Sequence, residues 1–130
     1  MKTLFPQLLQ FSDLALLCLR LLVALVFFTS GLRHAKDPVG RAKSIGVSPA
    51  FTRILGLGEM AGALGVAFGV FIQVAAAGLM LIMLGAIQKK IFVGHTGFWG
   101  EKTYGWHYDL LFFVAALVIL TTGGGRFVLI

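Results

Sequence analysis

The chain has 130 residues, 58% of them hydrophobic and 12% charged, against about 45–50% and about 25% in soluble domains. That imbalance excludes an ordinary water-soluble domain and a disordered chain, which is poor in apolar residues, while 17 glycines suit membrane helices whose backbones approach closely. A net charge of +6 comes from basic residues flanking long apolar runs, with no arginine-rich arm or nucleic-acid module, so nucleic acid is not expected as a partner; the lone Cys18 precludes an intramolecular disulfide.

In chain order, Leu4, Phe5, Leu8, Leu9 and Phe11 form an amphipathic lead-in suited to the membrane interface. The first apolar run, 14–32, approaches the roughly 20 residues that a bilayer core demands and is interrupted by Arg20. It is too long for a signal peptide's apolar region and holds an arginine, so it reads as a retained span. A basic loop, 33–50, follows. The second span, 51–72, carries Gly56, Gly58, Gly62, Gly65 and Gly69, of which the last four make one helical stripe for close packing. Gln73 marks a short turn. The third span, 74–92, has Gln88, Lys89 and Lys90 near its end. A polar and aromatic loop, 93–106, precedes a fourth span, 107–122, which stops at Gly123-Gly124-Gly125. The expected fold class is an all-α, integral membrane four-helix transmembrane bundle, one membrane domain over 1–130, with the lipid bilayer as its first partner.

Four spans put the two longer loops on one side and both termini on the other. The loop side holds Arg33, Lys36, Arg41, Lys43, Arg53, Lys89, Lys90 and Lys102, the other only Lys2 and Arg126. The positive-inside rule therefore places loops 33–50 and 93–106 in the cytoplasm and both termini outside, in a multi-pass inner-membrane protein.

Ionisable groups within spans are costly and point to function by default. Arg20, Glu59 and Asp109 stand out. Counting the helical rise puts Arg20 and Glu59 about 9 Å apart in depth, a gap two long side chains can close, so an Arg20–Glu59 ion pair is a reasonable arrangement. Glu59, Asp109, His107 and Lys89 or Lys90 could line one polar pocket opening to the loop side. The bland alternative is a structural network, Arg20 with Glu59 and Asp109 with Lys89 or Lys90; the sharper one is a ligand or proton site built from Arg20, Glu59, Asp109, His107 and Lys89. His34, His95 and His107 all fall on the loop side, but lack HxxxH or HExxH spacing, so no metal or haem is expected. Trp99, Tyr104, Trp106 and Tyr108 suit an interfacial aromatic belt or the aromatic mouth of a site for a flat ligand such as a quinone. No nucleophile–base constellation, P-loop or GxGxxG motif is present.

Several short motifs occur together in a familiar order: Leu19-Arg20 midway along the first span, Gly31 at its end, Pro38 and then Gly46-Val47-Ser48-Pro49 in the loop, and Gly58-Glu59-Met60-Ala61-Gly62 in the second span. A third span after a minimal turn and a final Gly123-Gly124-Gly125-Arg126-Phe127 complete the pattern. From about Leu14 to Phe127 the chain resembles the DoxX family. The resemblance implies a four-helix membrane protein associated with oxidoreductase complexes; some relatives are subunits of a thiosulfate:quinone oxidoreductase, others belong to oxidative-stress or thiol-redox assemblies. It carries family polar positions onto Arg20 and Glu59, and Asp109 replaces a glutamate. Gln73 departs from the pattern, standing where the family has an arginine. Three functions follow as expectations: a redox-associated subunit beside a quinone, with partner subunits or as a homo-oligomer; a small solute or ion transporter; and a non-catalytic assembly subunit. Whether the chain is itself an enzyme stays open; no cofactor is assigned, and a quinone is the one candidate.

Overall fold

Local chemistry sets where each helix starts and stops in the computed structural model, which describes residues 4–37, 48–93, 95–100 and 105–129. A 3-10 turn, Pro6–Phe11, leads directly into α1, Ser12–Lys36. Helix α2, Pro49–Phe68, begins where Ser48 accepts a hydrogen bond from the Phe51 amide and Pro49 occupies the first turn, where a missing N–H costs nothing. It ends at Gly69, whose φ of +71° closes the helix in the left-handed conformation. Helix α3, Ile72–Gln88, runs on into a π-helical turn, Lys89–Val93. Helix α4, Trp106–Thr122, lies between Gly105 and the left-handed Gly123.

Three stretches, Pro6–Lys36, Pro49–Phe68 and Ile72–Phe92, are long and apolar enough to cross a membrane. The fourth helix is apolar but has 17 residues, about 25 Å at 1.5 Å per residue, slightly less than a bilayer core of about 30 Å. Helices α1 and α2 pack extensively on each other, as do α3 and α4, with α2 against α3 joining the two pairs. The core between them is Val23, Phe27, Ala63, Val66, Ala76, Leu79 and Ile119. Large apolar side chains also face outward, among them Leu22, Leu25, Leu57, Leu81 and Leu111. That exterior suits hydrocarbon as a solvent, and the structure is a four-helix membrane bundle.

The glycine stripe and the turn differ from expectation. Gly58 has open space around its Cα, whereas Gly62 and Gly65 pack on Leu79 and Ala75 of α3. The closest helix crossing uses Gly56, outside the stripe: a Cβ there would lie 2.5 Å from the Gly31 carbonyl oxygen, and the reverse substitution meets the Gly56 carbonyl at the same distance. The turn expected at Gln73 falls at residues 69–71, and Gln73 sits in the first turn of α3, donating from Nε2 to the Leu120 carbonyl at 3.2 Å.

Candidate functional site

Polar groups gather at the two ends of the bundle. At the end holding the α2–α3 turn, Arg20 has no exposed surface at all. Its Nε donates to the Val66 carbonyl at 2.9 Å and Nη2 to the Ala67 carbonyl at 3.0 Å. Nη1 donates to the Phe127 carbonyl at 2.6 Å and to the Gly124 carbonyl at 3.3 Å. Val66 and Ala67 carry last-turn carbonyls of α2, which lack helical partners and form the negative end of its dipole. The buried guanidinium is thus compensated by carbonyl oxygens. The Arg20–Glu59 ion pair envisaged from depth alone is not formed: Glu59 lies seven residues N-terminal to Val66, about 10 Å back along α2, while the carbonyl end of the helix sits at the level of Arg20.

The last two carbonyls reach Arg20 because residues 123–125 reverse the chain, with φ of +73°, +83° and +86°. Only glycine populates three such conformations in succession without a Cβ penalty of about 1–2 kcal/mol each. The segment is tied down further by the Arg126 amide donating to Asp13 Oδ1 at 3.1 Å and by the Leu129 amide donating to the Gly69 carbonyl at 3.2 Å.

Toward the opposite end, Glu59 meets His34, with Glu59 Oε2 3.4 Å from His34 Nδ1 and both side chains buried. The Gly31–Gly56 crossing makes this possible: a Cβ at Gly56 would lie 2.8 Å from the His34 Cβ, and one at Gly31 3.0 Å from the Glu59 Cβ. His34 Nδ1 also lies 2.8 Å from the Ser30 carbonyl. A carbonyl only accepts, so Nδ1 carries the proton of that bond, and Glu59 Oε2 has no hydrogen-bond partner.

A second buried carboxylate, Asp109, lies in the first turn of α4 with Oδ2 2.7 Å from Lys90 Nζ. The π-helical turn carries Lys90 to this position, and its ammonium also lies 5.7 Å from the centre of the Tyr108 ring. Rings cluster around the start of α4: Phe98 meets Trp106 edge-on at 4.7 Å and Trp99 at 5.0 Å, and Trp99 lies 5.0 Å from His107.

Of the five residues singled out in the sequence, Arg20, Glu59, Asp109 and His107 have separate partners among the described contacts. Arg20 binds the C-terminal segment, Glu59 joins His34, and Asp109 joins Lys90. His107 clamps the loop, its backbone amide at 3.0 Å and its Nδ1 at 2.6 Å from the Phe98 carbonyl. Lys89 lies on the exposed side of the turn. Pro38, Arg41, Lys43, Gly46, Val47, Lys102 and Tyr104 lie outside the described residues. Sequence reasoning missed His34 as the partner of Glu59; the signal was its place one turn after Gly31 on the face that meets α2. Among the described residues no three His, Cys, Asp or Glu side chains gather as metal ligands do. An apolar groove of about 590 Å³ runs between α2 and α3, lined by Gly58, Gly62, Gly65, Phe71, Val74 and Gly78 among others, and touches none of these polar centres.

Fold and buried polar groups together define a small helical membrane protein, apolar outside and charged at selected points within. The DoxX family model matches residues 15–96, and the chain belongs to the DoxX family. It is 33% identical over 126 residues to the uncharacterized membrane protein Rv3486 of Mycobacterium tuberculosis (strain ATCC 25618 / H37Rv), a match covering 86% of this chain and 77% of the relative. No solved structure matches the chain.

Proposed function

We propose that this DoxX-family protein is an inner-membrane subunit of an oxidoreductase or redox-stress assembly, lying next to a quinone, with its two longer loops in the cytoplasm. The reading rests chiefly on Asp109: a carboxylate buried at the aromatic end of the bundle, its Oδ2 2.7 Å from a lysine ammonium. A quinone ring takes flat or edge-on contacts from aromatic side chains, and its reduced oxygens need protons. The Asp109–Lys90 pair offers one carboxylate and one ammonium at the start of α4, in the same first turn as Trp106 of the aromatic cluster. The basic loop residues supply the argument for orientation.

Titrating the purified full-length protein in nanodiscs with a soluble quinone tests the reading. Saturable binding that quenches Trp99 or Trp106 fluorescence, weakened at least tenfold in Asp109→Asn, is the expected result; no binding at saturating quinone overturns it. A second reading, a non-catalytic assembly subunit, draws on the α2–α3 groove, where Gly58 and Gly78 leave space for an approaching helix. A stoichiometric partner protein recovered from native membranes without quinone would favour that reading.

A further inference from the structure

His34 Nδ1 faces two oxygens at once, the Ser30 carbonyl at 2.8 Å and Glu59 Oε2 at 3.4 Å. Three atoms bearing lone pairs cannot meet there without a proton among them, and the shorter contact assigns that proton to Nδ1, directed at Ser30. It is a structural proton that holds the ring in place. Glu59 is left with a sealed oxygen that accepts no hydrogen bond, an expensive state for a carboxylate in a membrane interior. One more proton relieves it in either of two ways. On Nε2, the ring nitrogen still free, it makes an imidazolium whose charge lies beside the carboxylate; on Glu59 it makes a neutral acid beside a neutral imidazole.

We propose that Glu59 and His34 together bind one exchangeable proton inside the bundle, held either at His34 Nε2 or on the Glu59 carboxyl. Uptake converts the carboxylate and neutral imidazole, plus one proton, into either of these two forms; release returns the same proton, and no electron moves. His34 lies two residues from the end of α1, so it is the member nearer the loop surface, and Glu59 is the member deeper in α2. Of the other charged groups nearby, Arg33 and Lys36 on α1, Asp37 just past its end and Arg53 on α2 are exposed. From the other helix pair, Lys90 and Asp109 neutralise each other beside Tyr108, and His107 is bonded to Phe98. The described ion pairs give Glu59 no partner but His34. The proposal does not depend on quinone binding and stands or falls separately from it.

The test uses the full chain in lipid nanodiscs, with glutamate carboxyl groups labelled with 13C and histidine rings with 15N. The chain has only two glutamates and three histidines, so Glu101→Gln and the His95→Gln and His107→Gln variants assign the signals while leaving the pair intact. Infrared difference spectra between acid and alkaline samples should show a label-sensitive Glu59 band, either a protonated carboxyl or a carboxylate stretch displaced by the neighbouring imidazolium, that is lost in Glu59→Gln and retained in Glu101→Gln. The His34 ring signal should change over the same pH interval as that band, and His34→Gln should displace the band from that interval. A Glu59 carboxyl signal that is unchanged across the pH range overturns the proposal, as does a His34 ring that titrates separately from it. The wild-type spectra with the Glu101 and His95 or His107 variants distinguish these outcomes even where Glu59→Gln or His34→Gln does not fold.

Discussion

Arg20 and Phe127, 107 residues apart in sequence, are joined by a 2.6 Å hydrogen bond from the guanidinium to the carbonyl oxygen. The bond closes the chain on itself: the first membrane helix holds the segment that follows the last one. Because the same guanidinium also caps α2, one side chain fastens the C-terminal segment and the α2–α3 turn together.

Replacing Arg20 should accordingly loosen that segment before it unfolds the bundle. Arg20→Lys keeps the charge but cannot fork among four carbonyls, and Arg20→Met leaves those carbonyls without their donor. Each is expected to cost about 2–4 kcal/mol, from the loss of several charge-assisted bonds. Detergent unfolding curves measure the loss, and limited proteolysis should cut near residues 123–129 sooner than in wild type.

Gly124→Ala attacks the same clasp through the backbone. Its φ of +83° disfavours any Cβ, and the added carbon would collide with Ile72 Cδ1 and lie 3.2 Å from Arg20 Cδ. Strain of about 1–2 kcal/mol plus the steric conflict should reproduce the proteolytic sensitivity of the Arg20 variants, with Arg20 itself unchanged.

At the Gly31–Gly56 crossing, alanine at either position should push α1 and α2 apart, since each new Cβ would stand 2.5 Å from a carbonyl oxygen of the other helix. Thermal unfolding in detergent should fall markedly for Gly31→Ala and Gly56→Ala. Gly58→Ala and Gly78→Ala, which meet nothing within 4 Å, should be neutral or gain up to about 1 kcal/mol from helix propensity. Equal losses at all four positions would refute the crossing.

Lys90 and Asp109 lend themselves to a double-mutant cycle. Asp109→Asn or Lys90→Met alone leaves one charge uncompensated, a loss of about 3–5 kcal/mol for a fully buried pair and less here because Lys90 is partly exposed. The double variant should recover part of that loss. Lys89→Met, on the exposed side of the turn, should change stability by less than about 0.5 kcal/mol.

Much of the fold was legible because membrane solvent leaves a coarse and strong imprint on sequence. Apolar runs near the length of a bilayer, broken by basic loops, announce the helices, and the family motifs around Arg20, Glu59 and residues 123–127 announce their order. Helix ends were less legible: the α2–α3 turn falls at 69–71 because Gly69 takes up a left-handed conformation, whereas glutamine's polarity alone suggested position 73. The π-helical turn that brings Lys90 to Asp109 has no signature in the residues 89–93.

By itself, then, the sequence determined the solvent, the helical class, the family and which few charges are buried in the bundle. The tertiary structure alone decided their partners. Depth along a helix axis can be counted from sequence, but pairing depends on rotation and on how closely two backbones approach. Those are settled where Gly31 meets Gly56 and where three left-handed glycines turn the chain back. That geometry gives Glu59 to His34 and leaves Arg20 to backbone carbonyls, with no carboxylate among its partners.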